Sequence, residues 1–417
     1  MKKFKNKCKY FVRVFLGKAF FLYNKIFNAN APIAIILSKG QYGHSKNVTM
    51  AAKELGFQIH IFCPDFPVNE ARFGSKWHKV DCECDFEIAR EIALRLKPSV
   101  ILIESKHSLL VMQNELAKIT ECKTVGDLAS ITSNSKFQMR VALKAANVGT
   151  LKWHTLKSLL MSETELSANY VFKPEVGSGS AGVRLVRSTS QLNNLLGETE
   201  PINGIVEEFI SGRQFDLEGV AVDGEFFPLC LIEEHYGDAA PYFPPSWFLF
   251  NPPIDDDTRT ILVENAKRAL RALGVKNGAW HIEQRIDKNT GDIIVLDYAN
   301  RMGYNKLVSH ATQRSFPALY IRSMTSETYS YRDHTVDSDL GCLLKIYAFD
   351  NEQKQDLLDF ARQNPELVLQ VRTHSQMIGD WTFAGFIVFK TDNVDQLFTK
   401  LSTAELLHEK IREYYFV

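Results

Sequence analysis

Residues 32–40, PIAIILSKG, are a run of branched apolar residues closed by glycine, the pattern of a buried strand. Residues 47–56 have helical spacing and end in glycine, and 57–63 (FQIHIFC) alternate as a second strand. A helix follows at 86–96 and a third strand at 99–104. This β-α-β-α-β order predicts a small parallel α/β layer. Residues 133–149 predict a capped helix ending at Gly149. Residues 169–188 predict strand, glycine-rich loop, strand, and 189–198 a short helix with a Ser/Thr start. Residues 203–236 alternate like two or three antiparallel strands, with turns at Ser211-Gly212 and Asp223-Gly224. Residues 255–275 predict a long amphipathic helix whose acidic start suits the helix dipole. Residues 278–301 predict a hairpin turning at Lys-Asn-Thr-Gly. From about 337 the order strand, helix, strand, helix predicts a separate α+β domain. There is no low-complexity segment and no internal repeat.

Composition changes this picture little. The 417 residues are 45% hydrophobic and 24% charged with a formal net charge of zero, ordinary globular values that suggest several domains and give no general reason to expect nucleic acid. The charge is uneven, however. Residues 1–30 carry eight Lys/Arg and no acid, leaving 41 basic and 49 acidic residues in the remainder. This leader has the composition of a basic amphipathic helix, and two readings stand: peripheral contact with an anionic membrane, or a helix docked on the acidic body. Arg13, Lys18 and Lys25 break its apolar run short of the roughly 20 residues a spanning helix needs. No secretory cleavage pattern is evident. Seven dispersed cysteines, none in zinc-finger or C-x-x-C spacing, suit reduced thiols in a cytosol. The expected location is therefore cytoplasmic, with the inner face of the membrane as the variant the leader introduces.

The loop 177–182 satisfies G-x-G-x-x-G, yet Val183-Arg184-Leu185-Val186 after it read as strand, whereas a dinucleotide fingerprint opens a helix. No Gly-Lys-Ser/Thr closes it as a P-loop. What remains is a loop between antiparallel strands, either a surface hairpin or a phosphate cover built from Gly177, Ser178, Gly179, Ser180 and Gly182. Lys136 and Lys173 flank it in the chain and suit phosphate as point charges. The stretch Glu207-Glu208-Phe209-Ile210 has backbone groups able to read an adenine edge. Glu283 and Asp297, on neighbouring strands, suit Mg²⁺, with Mn²⁺ as the alternative. Arg301 follows and suits developing negative charge. The bland reading of each is a solvated or salt-bridged surface residue. His281-x-Glu283 lacks the P-C-x-x-C partner of a zinc deaminase.

Taken together, the order of these features resembles the ATP-grasp superfamily over residues 133–306. KPEVGSGSAGV resembles its triphosphate-covering strand and loop, and IVEEFISGRQ its adenine hinge. The resemblance implies ATP and Mg²⁺ as cofactors. It places Lys136, Lys173 and the loop on the phosphates, Glu207 and Ile210 on adenine, and Gln214 where a ribose-binding glutamate is usual. Ser135 stands where an acid precedes the first lysine, and Ala299 where an asparagine ligand is usual. HIEQ and LDYANRMGYN are similar to the bacterial L-amino-acid ligases that make dipeptides. That similarity implies His281 and Arg301 as catalytic residues and Tyr304 and Asn305 at the substrate.

The expected fold is then α/β and α+β multidomain: a leader at 1–30, an N-terminal parallel α/β domain at 31–125, an ATP-grasp domain at 126–330 with its lid at about 153–225, and a small C-terminal α+β domain at 337–417. The expected activity is ATP-dependent ligation of a carboxylate to an amine through an acyl phosphate. The partners are the two small-molecule substrates and no nucleic acid, with a homodimer left open. A carboxylase-like ATP-grasp enzyme and a non-catalytic nucleotide-binding protein are the alternatives. The absence of a biotin-bearing Met-Lys-Met weighs against the former, and retention of Glu283, Asp297 and Arg301 against the latter.

Overall fold

The computed structural model describes residues 31–40, 45–67, 69–104, 107–161, 169–188, 190–191, 203–236, 245–325, 342–378 and 381–404. The leader at 1–30 and most of the helix expected at 189–198 lie outside them. The N-terminal sheet consists of β1 (Ile33–Leu37), β2 (Gln58–Cys63), β3 (Lys76–Lys79) and β4 (Val100–Leu102). They pair in parallel in the order β3-β2-β1-β4. The crossover helices are Lys46–Glu54 and Phe86–Leu96. β3, KWHK, has no apolar run to announce it, because an edge strand needs little burial.

A second sheet holds β5 (Trp153–Thr155), β6 (Tyr170–Pro174), β7 (Arg184–Val186) and β8 (Gly204–Glu208) in the antiparallel order β5-β8-β6-β7. It is the flap over the cavity described below. The third sheet is the body. Its strands are β9 (Gln214–Val222), β10 (Glu225–Tyr236), β11 (Pro245–Phe250), β12 (Gly278–Ile286), β13 (Ile293–Ala299), β14 (Cys342–Ala348) and β15 (Val368–Arg372). A small hairpin, β16 (Gln376–Ile378) and β17 (Trp381–Phe383), precedes the last strand, β18 (Gly385–Thr391). The body sheet runs β13-β12-β9-β10-β11-β14-β18-β15, antiparallel throughout.

Two expectations are revised here. Ser211-Gly212 does not close a hairpin, because β8 belongs to the flap sheet and β9 to the body. Nor do the strands after 337 make a sheet of their own. β14 pairs with β11, so β14, β18 and β15 continue the body sheet. Local pattern identifies a strand but not its partner.

The body sheet gets its two faces from alternation within β9, QFDLEGVAV. Phe215 and Leu217 join Trp280 and Ile282 in a core that includes Leu262, Ala266, Ala269 and Leu270 of the helix Asp256–Ala272. That helix starts on Asp255, whose carboxylate accepts the Thr258 N–H at 2.7 Å. With period 2, Gln214, Asp216 and Glu218 turn to the opposite face. All three are buried there, so the fold puts two full carboxylates out of water and must meet their charge.

Candidate active site

Between the flap and the body sheet lies a cavity of about 440 Å³, within the usual range for small-molecule sites. The flap supplies Lys173 and residues Gly177 to Ala181; the hinge supplies Glu207 to Ile210; the body supplies Gln214, Glu234, Tyr236, His281, Glu283, Arg285, Asp297, Arg301, Gly303 and Tyr304. Lys136 comes from the helix Lys136–Ala145, and the C-terminal strand β14 adds Lys345 and Tyr347. The expected residues outside the wall are Gly182 and Asn305.

The loop between β6 and β7 joins antiparallel strands, which removes the dinucleotide-fingerprint reading. Gly179, Ser180 and Gly182 sit at φ +65°, +57° and +69°. A Cβ on Gly182 would come within 2.8 Å of Pro174 Cγ, so this glycine shapes the loop from outside the cavity wall. Ser135, where an acid was expected, is a helix cap. It accepts the Gln138 N–H at 3.1 Å and donates to Glu175.

The two lysines are held by carboxylates. Lys136 Nζ lies 3.4 Å from Asp297, and Lys173 Nζ lies 2.8 Å from Glu207 and donates to the Leu296 carbonyl at 2.8 Å. Glu207 is 1% exposed and also pairs with Arg140, which donates to the Val295 carbonyl at 2.6 Å. Burial opposes the charges of Glu207 and Asp297, but the neighbouring cations prevail. Arg140 and Lys173 hold Glu207 below its usual range, and Lys136 and Lys173 hold Asp297 at about 2.

The hinge backbone is partly engaged. Glu208 N–H donates to the Lys152 carbonyl and Phe209 N–H to the Asn169 carbonyl, each at 2.9 Å. The Ile210 carbonyl accepts Arg285 Nη1 at 2.7 Å. Gln214, where a glutamate was expected, donates its amide to Glu234 at 2.6 Å and accepts from Arg285. A neutral amide can make both bonds, whereas a glutamate there would meet Glu234 as a like charge.

His281 bridges Glu218 at 3.0 Å through Nδ1 and Glu283 at 3.4 Å through Nε2. Burial disfavours its charge, yet Glu218 and the bonds to both carboxylates raise its pKa well above the usual imidazole value. It is therefore a charged spacer between carboxylates and a poor proton acceptor. Glu218 also accepts the N–H groups of Gly303 at 3.1 Å and Tyr304 at 2.9 Å. Only glycine fits at 303, because a Cβ would stand 2.2 Å from Glu218 Oε1 and 2.8 Å from His281 Nδ1. The Tyr304 hydroxyl donates to Glu234 at 2.8 Å. Asn305 instead donates to Glu104 of the N-terminal domain at 2.7 Å, so it ties the two parts of the chain together. Arg301 donates to the Met302 carbonyl at 3.1 Å, and its Nε is buried without a partner.

Glu283 is directly opposite Asp297 across β12–β13 and opposite Asp216 across β12–β9. Glu283 and Asp297 both line the cavity and offer hard oxygens, a donor set that fits Mg²⁺ completed by phosphate oxygens and water. Ala299 is buried opposite His281 and offers no ligand. Asn300 faces away, as strand parity requires, donating to the Ala279 carbonyl at 2.7 Å.

Sequence reasoning missed Asp216, Glu218, Glu234, Tyr236, Arg285, Lys345 and Tyr347. The signal was alternation of polar residues inside apolar strands: Gln214, Asp216 and Glu218 in β9, Glu234 and Tyr236 in β10, Lys345 and Tyr347 in β14. Burial and the facing carboxylates Glu234 and Glu283 push Asp216 well above the usual range, and burial with Glu283 takes Glu234 to about 7. Lys345 is 7% exposed, and burial lowers it to about 7. Its ammonium lies 5.4 Å from the Phe248 ring centre, 4.3 Å from that of Tyr347 and 4.8 Å from that of Phe386.

Comparison with known proteins agrees with this geometry. Residues 166–306 match the family model of the ATP-grasp domain. An alanine–anticapsin ligase of Bacillus subtilis is 26% identical over 213 residues, covering 44% of each chain. The match thus spans less than half of that relative's length. The fold resembles a crystal structure of L-amino acid ligase from Bacillus licheniformis, with a TM-score of 0.72 and 18% identity over 90% of this chain and 97% of that one. It also resembles the ADP complex of an N5-carboxyaminoimidazole ribonucleotide synthetase, with a TM-score of 0.68 and 16% identity over 90% and 97% of the two chains. At these identities the structural likeness concerns the fold.

Proposed function

We infer, from a chain that carries an ATP-grasp domain, an ATP-dependent ligase that joins a carboxylate to an amine and releases ADP and phosphate. The observation that carries this reading is convergence. One cavity gathers the glycine loop, Lys136, Lys173, Arg301, Glu283 and Asp297. The named similarity to an alanine–anticapsin ligase supports the reaction class.

A carboxylate resists attack by an amine because its charge repels the nucleophile and oxide is a poor leaving group. In the proposed first step, a carboxylate oxygen attacks the γ-phosphorus of ATP. The bond from that phosphorus to the β-γ bridging oxygen breaks, and ADP departs. The amine nitrogen then attacks the acyl carbon of the mixed anhydride, the C–O bond to phosphate breaks, and the proton lost by nitrogen passes to the departing phosphate or to water. Lys136 and Lys173 position the triphosphate while the loop covers it. Mg²⁺ held by Glu283 and Asp297 would neutralise phosphate charge. Arg301, with its unpartnered Nε, meets the charge of the transferring group. The flap excludes water that would hydrolyse the anhydride. Tyr304, Lys345 and Tyr347 line the same cavity and are the proposed substrate contacts. Among the described residues, no helix is long and apolar enough to cross a membrane.

The test is phosphate release from ATP and Mg²⁺ across a matrix of carboxylates and amines, beside a Glu283→Ala/Asp297→Ala variant. Release that needs both substrate types and vanishes in the variant supports a ligase. Release with a carboxylate alone, or with none, rejects it.

A further inference from the structure

We propose that Asp216, Glu234 and Glu283 form a binding site for a hard divalent cation, adjoining the nucleotide-side pair through the shared Glu283 and loaded without nucleotide. One carboxylate oxygen from each of the three lies within 4.8 Å of the others. They come from three neighbouring strands: Asp216 on β9 faces Glu283 on β12, and Glu234 on β10 completes the group. Octahedral ligands about 2.0–2.1 Å from Mg²⁺ stand roughly 3–4 Å apart, so a closure of about an ångström would seat the ion; a larger ion needs less.

The partners of each oxygen point the same way. Glu218 is met by His281 and by two backbone N–H groups. Glu234 is met by Tyr304 and Gln214. Glu283 has His281 at 3.4 Å. Both oxygens of Asp216, a fully buried residue, lack any hydrogen-bond partner. A buried carboxylate without a donor is costly, and a cation removes that cost.

A substrate ammonium is the competing occupant. Glu234 and Glu283 reach the cavity wall, but Asp216 does not. An ion held among the three can bond Asp216 behind the wall as well, whereas an ammonium carried on a carbon chain would meet only Glu234 and Glu283. Glu283 then has carboxylates on both sides, Asp297 toward β13 and Asp216 toward β9. The second set supplies oxygens that position 299 does not.

The experiment is Mn²⁺ binding to the full chain without nucleotide, followed by loss of the free-ion electron paramagnetic resonance signal, with Mg²⁺ as competitor. The expected result is one tightly held ion that Mg²⁺ displaces. Asp216→Asn and Glu234→Gln should each weaken it at least tenfold, while Asp297→Asn changes it less than threefold. Thermal melting of each variant checks folding; if one fails to fold, the other decides. Three results would overturn the proposal: no nucleotide-free binding in the wild type, wild-type binding in the folded variants, or equal loss in Asp297→Asn. The readout needs no turnover, so failure of the ligase reading leaves it intact.

Discussion

On the β13 flank of Glu283, the acids are met by cations: Asp297 by Lys136 at 3.4 Å, and Glu207 by Lys173 at 2.8 Å and by Arg140. On the β9 and β10 flank, Asp216 has no partner, and Glu234 is met by the neutral donors Tyr304 and Gln214. The first flank can release its lysines to an incoming anion, since each has a nearby carboxylate to leave. The second holds more acids than its cations, His281 and Lys345, offset, and it gains by receiving further positive charge. The site therefore carries two opposite preferences, and Glu283 stands between them.

The variant that breaks both sides is Glu283→Gln. It should lower ligation-coupled phosphate release by on the order of 10²–10³ and weaken Mn²⁺ binding as well. Loss of one without the other would show that the flanks work independently. Glu207→Gln breaks only the cationic side by leaving the buried Arg140 without its counter-ion. Urea unfolding should show a loss of about 3–5 kcal/mol, and a change under 1 kcal/mol would mean that the Val295 and Leu296 carbonyls suffice for Arg140. Gly303→Ala forces a methyl against Glu218 and His281. A loss of about 1–3 kcal/mol is expected in the same measurement.

In pH the flanks have opposite signs. Asp297, depressed to about 2, contributes stability that is present above about pH 4 and lost as pH falls through 2. Glu234, raised to about 7, keeps its proton in the folded state where the unfolded chain has released it. Its side therefore loses stability as pH rises from about 4.5 to 7. Unfolding free energies from urea should be lower at pH 8 than at pH 5 by roughly 2.5 kcal/mol from this group, and Glu234→Gln should flatten the difference. Saturating Mg²⁺ should flatten it in the wild type. A wild-type slope indifferent to Mg²⁺ would separate the carboxylates from any ion.

Much of the cationic flank was legible in the chain. The strand–loop–strand around Gly177 to Gly182 and the hairpin pairing Glu283 with Asp297 depend on local pattern, which sequence carries directly. The acidic flank depends on which strands lie side by side. Asp216 and Glu234 share the β9–β10 hairpin, but Glu283 and Lys345 come from later strands, and nothing local says that β9 pairs with β12 or that β14 docks on β11. The departures at 135 and 214 were visible as substitutions. Their sense, a helix cap and an amide bonding both Glu234 and Arg285, needed the neighbours.

The seam between β11 and β14 has a practical meaning for anyone who would shorten or recombine this chain. Trp247 to Phe250 pair with Ile346 to Leu343 across it. A version cut before Cys342 would expose β11 as a mostly apolar edge, a template for aggregation, and would strip Lys345 and Tyr347 from the cavity. The C-terminal segment is thus a poor target for truncation. It is a natural unit for exchange, since grafting a relative's version would replace the sheet edge and part of the cavity wall together.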